Sequence, residues 1–347
     1  MGSNSSEAIQ PLAGLSPSEG ELKEIAEGIF WLRFPLPMAL DHVNVFAIED
    51  EGGITLVDTG LDTRKTRAIW KRVLAGPMGN TPIRRVILTH HHPDHVGLAG
   101  WFALEHGAEI WSTRTTWLMA RMLILDEQAV PTAESLRFYR AAGMDETSLW
   151  KRSKNRPFNF SDVVSPIPLG YRRIRDRESI RIGGSDWRVA IGNGHAPDHA
   201  TFWCQNHPLI LGGDQFLADI SPNIGVYATE PDADPLDEWL ESCEQFAKIA
   251  RPEQTVLPGH RFPYTGLPSR IGQLIDNHRG ALKRLRLHLR NPATAVDCFH
   301  TLFRRNIDEA EFGLALGESM AHLNYLLARG EVERSRREDG AWLWSLQ

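Results

Sequence analysis

The chain has 347 residues, 42% hydrophobic and 24% charged, with 38 Lys+Arg against 44 Asp+Glu for a formal net charge of −6. These proportions are those of a soluble globular protein and exclude disorder and fibrous repeats. The mildly acidic balance argues against broad, non-specific binding to nucleic acid or membrane, and 14 histidines are left to be explained.

The length suits a large core and about two folding units, at roughly 100–200 residues each. Cys204, Cys243 and Cys298 lack C-x-x-C spacing, so no disulfide framework is expected and a reducing compartment, by default the cytoplasm, is. The start Met1-Gly2-Ser3-Asn4-Ser5-Ser6 matches the loose myristoylation pattern, which short polar starts produce easily. No basic-then-apolar signal sequence and no run of about 18 apolar residues is present, and residues 1–20 are expected to be flexible.

In chain order, β-prone runs fall at 29–32, 43–48 and 54–57, the last two separated by the acidic, glycine-bearing turn 49–53. Thr66, Ile69, Trp70, Val73 and Leu74 repeat at i, i+3, i+4 and predict a helix that stops before Gly76-Pro77. A buried strand at 86–88, a helix over 96–105 closed by Gly107, and a strand at 109–111 continue the alternation. That rhythm points to α/β layers.

Residues 114–177 interrupt it as a helical insertion. Its Met and aromatic side chains either line a substrate pocket or simply pack the insertion onto the core. Strands resume at 179–182, 187–191, 201–204 and 209–211, followed by a helix over 235–250 and a strand at 255–257. From about residue 269 the sequence becomes helical, with helices at 271–289, 294–303 and 314–329. A hairpin over 332–346 then turns at Asp339-Gly340. Helices followed by a hairpin outline a winged helix, a fold that often binds DNA. Residues 271–347 carry eleven Arg/Lys against ten Asp/Glu, with only Arg334, Arg336 and Arg337 clustered. Nucleic-acid binding rests largely on phosphate neutralisation, so this near-neutral tail argues against it.

Chemistry concentrates directly after the 86–88 strand, in Thr89-His90-His91-His92-Pro93-Asp94-His95-Val96-Gly97. Four imidazoles and a carboxylate within six residues are costly to hold together unless a cation binds them. His90 and His92 alternate along an extended segment and so face one side, while Asp94 and His95 begin the next helix and can reach a second position. A capped polar loop would leave three of these histidines unexplained. Three more pieces follow, each just beyond a β run: Gly194-His195-Ala196-Pro197-Asp198-His199, Gly212-Gly213-Asp214 and Pro258-Gly259-His260. Each is weak alone; their order, after a strand ending Val57-Asp58-Thr59-Gly60, makes a strong combined signal.

This ordered set resembles the metallo-β-lactamase superfamily, and the likeness covers roughly residues 25–265. It implies an α/β fold, the αββα sandwich, with metals at the edge between two sheets. It also implies one metal held by His90, His92 and His195, and a second by Asp94, His95 and His260, with Asp214 bridging. Asp94 is additionally expected to be catalytic. Asp58 would orient a ligand from behind, His199 would stand behind the site, and His91 fills a variable position. Five imidazoles and two carboxylates suit two borderline cations, Zn²⁺ above all, with Mn²⁺ or Fe left open. Two such metals about 3.5–4 Å apart would share a hydroxide that is nucleophilic at neutral pH. Asp214 stands where class B lactamases typically carry Cys, which argues against antibiotic hydrolysis.

Within the superfamily, Pro258-Gly259-His260-Arg261 and the later His278-Arg279 make the chain similar to the glyoxalase II-like branch with a winged-helix-like tail. The expected organisation is a flexible 1–20, a catalytic unit over 21–268 and a C-terminal unit over 269–347. The expected function is hydrolysis of a small thioester or ester, with a small-molecule acyl substrate, no membrane partner and no nucleic acid. An endoribonuclease using the same metals and a metal-bearing binding or regulatory protein are the alternatives. Specificity is expected in the insertion and around residues 223–227. The sequence leaves oligomeric state open, a homodimer included.

Overall fold

The computed structural model describes residues 8–12, 14 and 16–347; the Met1–Ser6 start lies outside them. Within the expected flexible stretch, strand β1 (Gln10–Pro11) is already paired to a later strand. One seven-stranded sheet takes its strands in chain order: β2 (Lys23–Ala26), β3 (Ile29–Pro35), β4 (His42–Asp50), β5 (Gly53–Val57), β6 (Ile83–Ile87), β7 (Glu109–Ser112) and β8 (Arg172–Arg173). The other, also seven-stranded, comprises β9 (Ser179–Ile182), β10 (Ser185–Gly192), β11 (His199–Cys204), β12 (Leu209–Gly213), β13 (Thr255–Pro258), β14 (Tyr264–Thr265) and β1. β5, β6, β7 and β8 run parallel, as do β12 and β13.

Both faces of each sheet are covered, and the period-2 alternation of side chains assigns each face to its own core. On β3, Trp31 points between the sheets with Phe46, Trp187 and Phe202. Its neighbours Leu32 and Phe34 point the other way, with Trp70 and Phe102. On β11, Phe202 faces the inter-sheet core while Trp203 faces helices beyond the second sheet. Helix, sheet, sheet and helix thus stack as the αββα sandwich. Helix α1 (Arg64–Ala75) begins where Thr63 Oγ1 accepts from the Thr66 N–H and lays Ile69, Trp70, Val73 and Leu74 on the first sheet.

The helix expected over 96–105 is two: α2 (Pro93–Val96) and α3 (Ala99–His106). The break has a local cause. The Leu98 N–H donates to Thr59 Oγ1 at 3.0 Å instead of continuing the helical ladder, and the Gly97 carbonyl accepts from Ser165 N and Oγ, each at 2.8 Å. Gly107 closes α3 in the left-handed region at φ 66°, where a residue without Cβ pays no penalty.

The insertion folds as α4 (Arg114–Leu125), α5 (Ala133–Ala141) and α6 (Glu146–Lys154), each started by a side-chain cap from Thr113, Thr132 and Asp145. It is not wholly extra to the sandwich, since β8 inside it extends the first sheet. α7 (Pro235–Ala247), α8 (Leu267–His288), α9 (Phe299–Phe303) and α10 (Phe312–Ala328) follow, and the hairpin β15 (Val332–Arg336)–β16 (Trp342–Leu346) closes the chain. α9 is shorter than expected because Ala293 exchanges both main-chain hydrogen bonds with Trp344, which holds the preceding segment extended. The tail's Leu282, Leu316, Met320 and Trp344 share one core with Ile210 and Val256 of the second sheet and Trp239 of α7. Phe138 and Ala142 of the insertion join that core.

Candidate metal centre

The strand ends deliver the site. β6 runs into His90 and His92, and α2 carries Asp94 and His95. The β10–β11 turn presents His195, Asp214 follows β12, and His260 follows β13. Residues from both sheets therefore meet at one edge. The sheets are tied there by Ala200 N–H to the Thr89 carbonyl, 2.8 Å, and Asn44 N–H to the Gly259 carbonyl, 2.7 Å. Close approach demands glycine at 259: a Cβ would stand 2.2 Å from Asp214 Oδ1 and 2.7 Å from His95 Cε1.

The side chains form two adjoining clusters. One joins His90, His92, His195 and Asp214, the other Asp94, His95 and His260, with one ligand atom per residue all within 4.8 Å inside each cluster. His90 Nε2 and His92 Nδ1 are 3.0 Å apart. Asp214 lies between the clusters, its Oδ2 3.5 Å from His195 Nε2 and 3.2 Å from His260 Nε2, its Oδ1 3.4 Å from His95 Nε2. Asp94 Oδ2 is 3.3 Å from His260 Nε2 and 3.7 Å from His95 Nε2. His90, His95, Asp214 and His260 are buried, while His92, Asp94 and His195 are half-buried and mark the open side.

Burial holds the His90 and His92 imidazoles well below their ordinary pKa, and the neighbouring rings push the same way. At His95 and His260 burial also opposes charge, but the surrounding carboxylates outweigh it, with Asp214 foremost. His95 is raised well above its usual value and His260 to about 10. Burial would lift Asp214 too, yet His260 and His95 hold it well below the carboxylate range. A dense, buried, mixed-charge set of this kind calls for positive charge at its centre.

Whether a divalent cation fits is decided by the ring nitrogens. His95 Nε2, His195 Nε2 and Asp214 Oδ1 are buried with no hydrogen-bond partner, a costly state unless something else binds them. The opposite nitrogens are all held: His95 Nδ1 by Asp58 Oδ2 at 2.7 Å, His195 Nδ1 by the Asn223 carbonyl at 2.8 Å, and His260 Nδ1 by the His42 carbonyl at 2.7 Å. Donating Nδ1–H to a fixed acceptor reserves Nε2 for the cation, the usual arrangement of a metal-bound histidine. The residues present fit divalent metal ions.

Asp58 also accepts the Thr89 N–H at 2.9 Å and the Thr89 hydroxyl at 2.8 Å, and Thr89 Oγ1 lies 2.9 Å from His90 Nδ1. One carboxylate thus steadies a ring in each cluster, from a left-handed backbone at φ 62° that non-glycine residues adopt only when their surroundings hold them there. His199 stands behind the site and contributes no atom to either cluster. Its Nε2 accepts the Asp214 N–H at 3.0 Å, and its ring stacks on His90. His91 is buried beside the clusters and outside both. His42 fixes His260 through its carbonyl. Neither its part nor that of Asn223 in fixing a ring is legible in the sequence, because a main-chain acceptor leaves no side-chain signature.

Comparisons with known proteins agree with this architecture. The family model "Metallo-beta-lactamase superfamily" matches residues 38–260, and "Metallo-beta-lactamase-like, C-terminal domain" matches residues 282–346. The chain is 27% identical over 319 residues to the probable metallo-hydrolase YqjP of Bacillus subtilis (strain 168), covering 88% of this chain and 94% of that one. A crystal structure of a β-lactamase domain protein from Burkholderia ambifaria superposes with a TM-score of 0.90 at 32% identity, covering 99% of each chain. A metallo-β-lactamase family protein from Thermus thermophilus gives 0.77 at 28% identity, covering 93% of this chain and 100% of that one. Fold, ordered site residues and family match converge, and the chain belongs to the metallo-β-lactamase superfamily.

Proposed function

We propose that the chain is a dinuclear, zinc-dependent hydrolase that cleaves a small thioester or ester, in the manner of the glyoxalase II-like branch. The observation that carries this reading is the pair of adjoining clusters with Asp214 between them, and with His95 Nε2, His195 Nε2 and Asp214 Oδ1 buried without a hydrogen-bond partner. When bound, such cations lower the pKa of water to about 7 and polarise a carbonyl oxygen. The chain's part is to hold that chemistry in place. Asp58, Asn223 and His42 fix the rings of His95, His195 and His260, and His199 fixes the Asp214 main chain. Asp94, with 16% of its side chain exposed against 7% for Asp214, is the carboxylate a substrate meets first. We assign to its Oδ2 the handling of a proton there, beside its role in the second cluster.

Two observations favour an acyl substrate over RNA. The first turn of α4 is fastened to the His195 loop: Thr113 Oγ1 donates to the Asp198 carbonyl at 3.1 Å, and Thr115 donates to the Asp198 carboxylate. From there α4 exposes Leu118, Met122 and Leu125 on successive turns, an apolar strip suited to an acyl chain. Two of the three clustered arginines of the hairpin, by contrast, are neutralised within the chain. Arg334 pairs with Asp232 at 3.0 Å and lies over Trp342, and Arg337 pairs with Asp339 at 2.8 Å. The tail's three helices and hairpin follow the element order expected of a winged helix, with Arg334 and Arg337 tied to carboxylates of the chain.

Among the described residues no helix is long and apolar enough to cross a membrane. The three cysteines are buried free thiols, which supports placing the chain in the reducing cytoplasm. The zinc-loaded chain is to be assayed against an acyl-thioester and ester panel and against single-stranded RNA. Turnover of an acyl substrate above the metal-free protein is expected. No such turnover, together with cutting of the RNA, would overturn the reading.

A further inference from the structure

A third group of buried nitrogens and a carboxylate lies in the C-terminal helices, formed by residues that take no part in the sheet-edge clusters. Glu318 and His322 stand four residues apart on α10, so one face of that helix presents both. α8 supplies His278 opposite them. One ligand atom from each of the three lies within 4.8 Å of the others. His278 Nδ1 and His322 Nε2 are 3.3 Å apart. Two nitrogens sharing a tetrahedral zinc at bonds of about 2.0–2.1 Å are separated by about 3.3 Å.

The surroundings are arranged as for a ligand set. His322 Nδ1–H donates to the Glu318 main-chain carbonyl at 2.8 Å, leaving Nε2 as a lone pair aimed at His278. That is the same device that orients His195 and His260. Both rings are buried, at 3% and 2% exposure. Burial holds the two imidazoles neutral, at about 3 for His278 and about 4 for His322, the metal-binding form. Burial also raises the Glu318 carboxyl to about 7, with Asn223 Nδ2–H, 3.0 Å from Oε2, acting against that rise. Among the described residues no Lys or Arg forms an ion pair with Glu318 that would offset its burial.

We propose that His278, Glu318 and His322 form a third divalent-cation site, for zinc by its donor set, with water completing the coordination. The site joins the sheet edge through Asn223, whose side chain donates to Glu318 and whose carbonyl holds His195 Nδ1–H. A cation on Glu318 would therefore also steady that ring. The proposal stands on the helices alone and does not depend on the reaction assigned to the sheet edge.

The test uses the full chain, stripped with a chelator, reloaded with Zn²⁺ and desalted so that no excess zinc remains. Anomalous scattering from its crystals at the zinc edge should show a peak between α8 and α10. Elemental analysis should find one zinc fewer per chain in His322→Gln and in Glu318→Gln than in the wild type. The anomalous map of each variant shows which site lost its zinc, with the sheet-edge peaks kept and the one between α8 and α10 gone, and the wild-type map needs no variant to fold. A map without a peak at His278 and His322, or zinc counts unchanged in both variants, overturns the proposal.

Discussion

Replacing Asp58 with Asn tests how the chain prepares its metal ligands. The Asp58 carboxylate accepts three hydrogen bonds, from the Thr89 N–H and hydroxyl and from His95 Nδ1–H. An amide keeps one acceptor oxygen, and the immovable Thr89 N–H claims it. The new NH2 then faces His95 Nδ1, which can pair with it only by giving up its own proton. The imidazole is thereby forced into the tautomer with hydrogen on Nε2, the atom 3.4 Å from Asp214 Oδ1 that should bind a cation. Loss of such an outer partner costs about 10–100-fold in metal affinity, or about 1.4–2.8 kcal/mol. Asp58→Ala would be harsher, leaving three buried donors without acceptors at about 1–3 kcal/mol each. Zinc titration against a competing chelator measures the effect, and a cycle with His260→Gln identifies the cluster that moves. The expected result is weakened binding at the Asp94–His95–His260 cluster in Asp58→Asn and little further change when His260 is already replaced. Wild-type affinity at both steps, or a loss confined to the His90–His92–His195 cluster, would refute the tautomer argument.

Other consequences can be checked directly. His90→Ala or Asp94→Ala should each abolish turnover and lower zinc content; normal turnover in either would remove the assigned residues from the chemistry. In the metal-free chain His95 is raised well above its usual pKa and His260 to about 10, so both carry protons at pH 7.5. Zinc loading must displace those protons, and affinity should rise with pH up to about 10, by about tenfold per unit for each proton released. An indicator dye in weak buffer reads the release, and loading without it would contradict the charge pattern. Trp70 is fully buried and stacks on Phe34 with ring centroids 4.6 Å apart; Trp70→Ala should cost about 3–5 kcal/mol in chemical denaturation. A loss under about 1 kcal/mol would mean the first sheet's helical face tolerates a large cavity, against the usual range.

Much of this architecture is legible in the chain because its signals are local. His90 to His95 are contiguous, and His195, Asp214 and His260 each follow a β run ending in Gly or Pro, so their order could be read without coordinates. The alternation on β3 and β4 and the 3.6-residue stripe on α1 are likewise short-range. What escaped is long-range or carried by the main chain. The break at Leu98 depends on Thr59, 39 residues earlier, and the shortening of α9 on Trp344. Asn223 and His42 act through carbonyls, which every residue possesses. His278 and His322 lie 44 residues apart on different helices. The i, i+4 pairing of Glu318 with His322 was the one signal on offer, and a single Glu–His pair on a helix is usually a solvated face.

If the buried histidines and carboxylates at the sheet edge hold the cations that make this chain a hydrolase, its activity must follow its metal content. Adding zinc in measured equivalents to the stripped full-length protein, while following hydrolysis of an acyl thioester, tests it most directly. The stripped protein should show no turnover, the rate should climb with added metal until the Asp214-centred clusters are full, and His90→Ala should show no climb. Turnover that is already complete without metal, or that rises equally in His90→Ala, would contradict it.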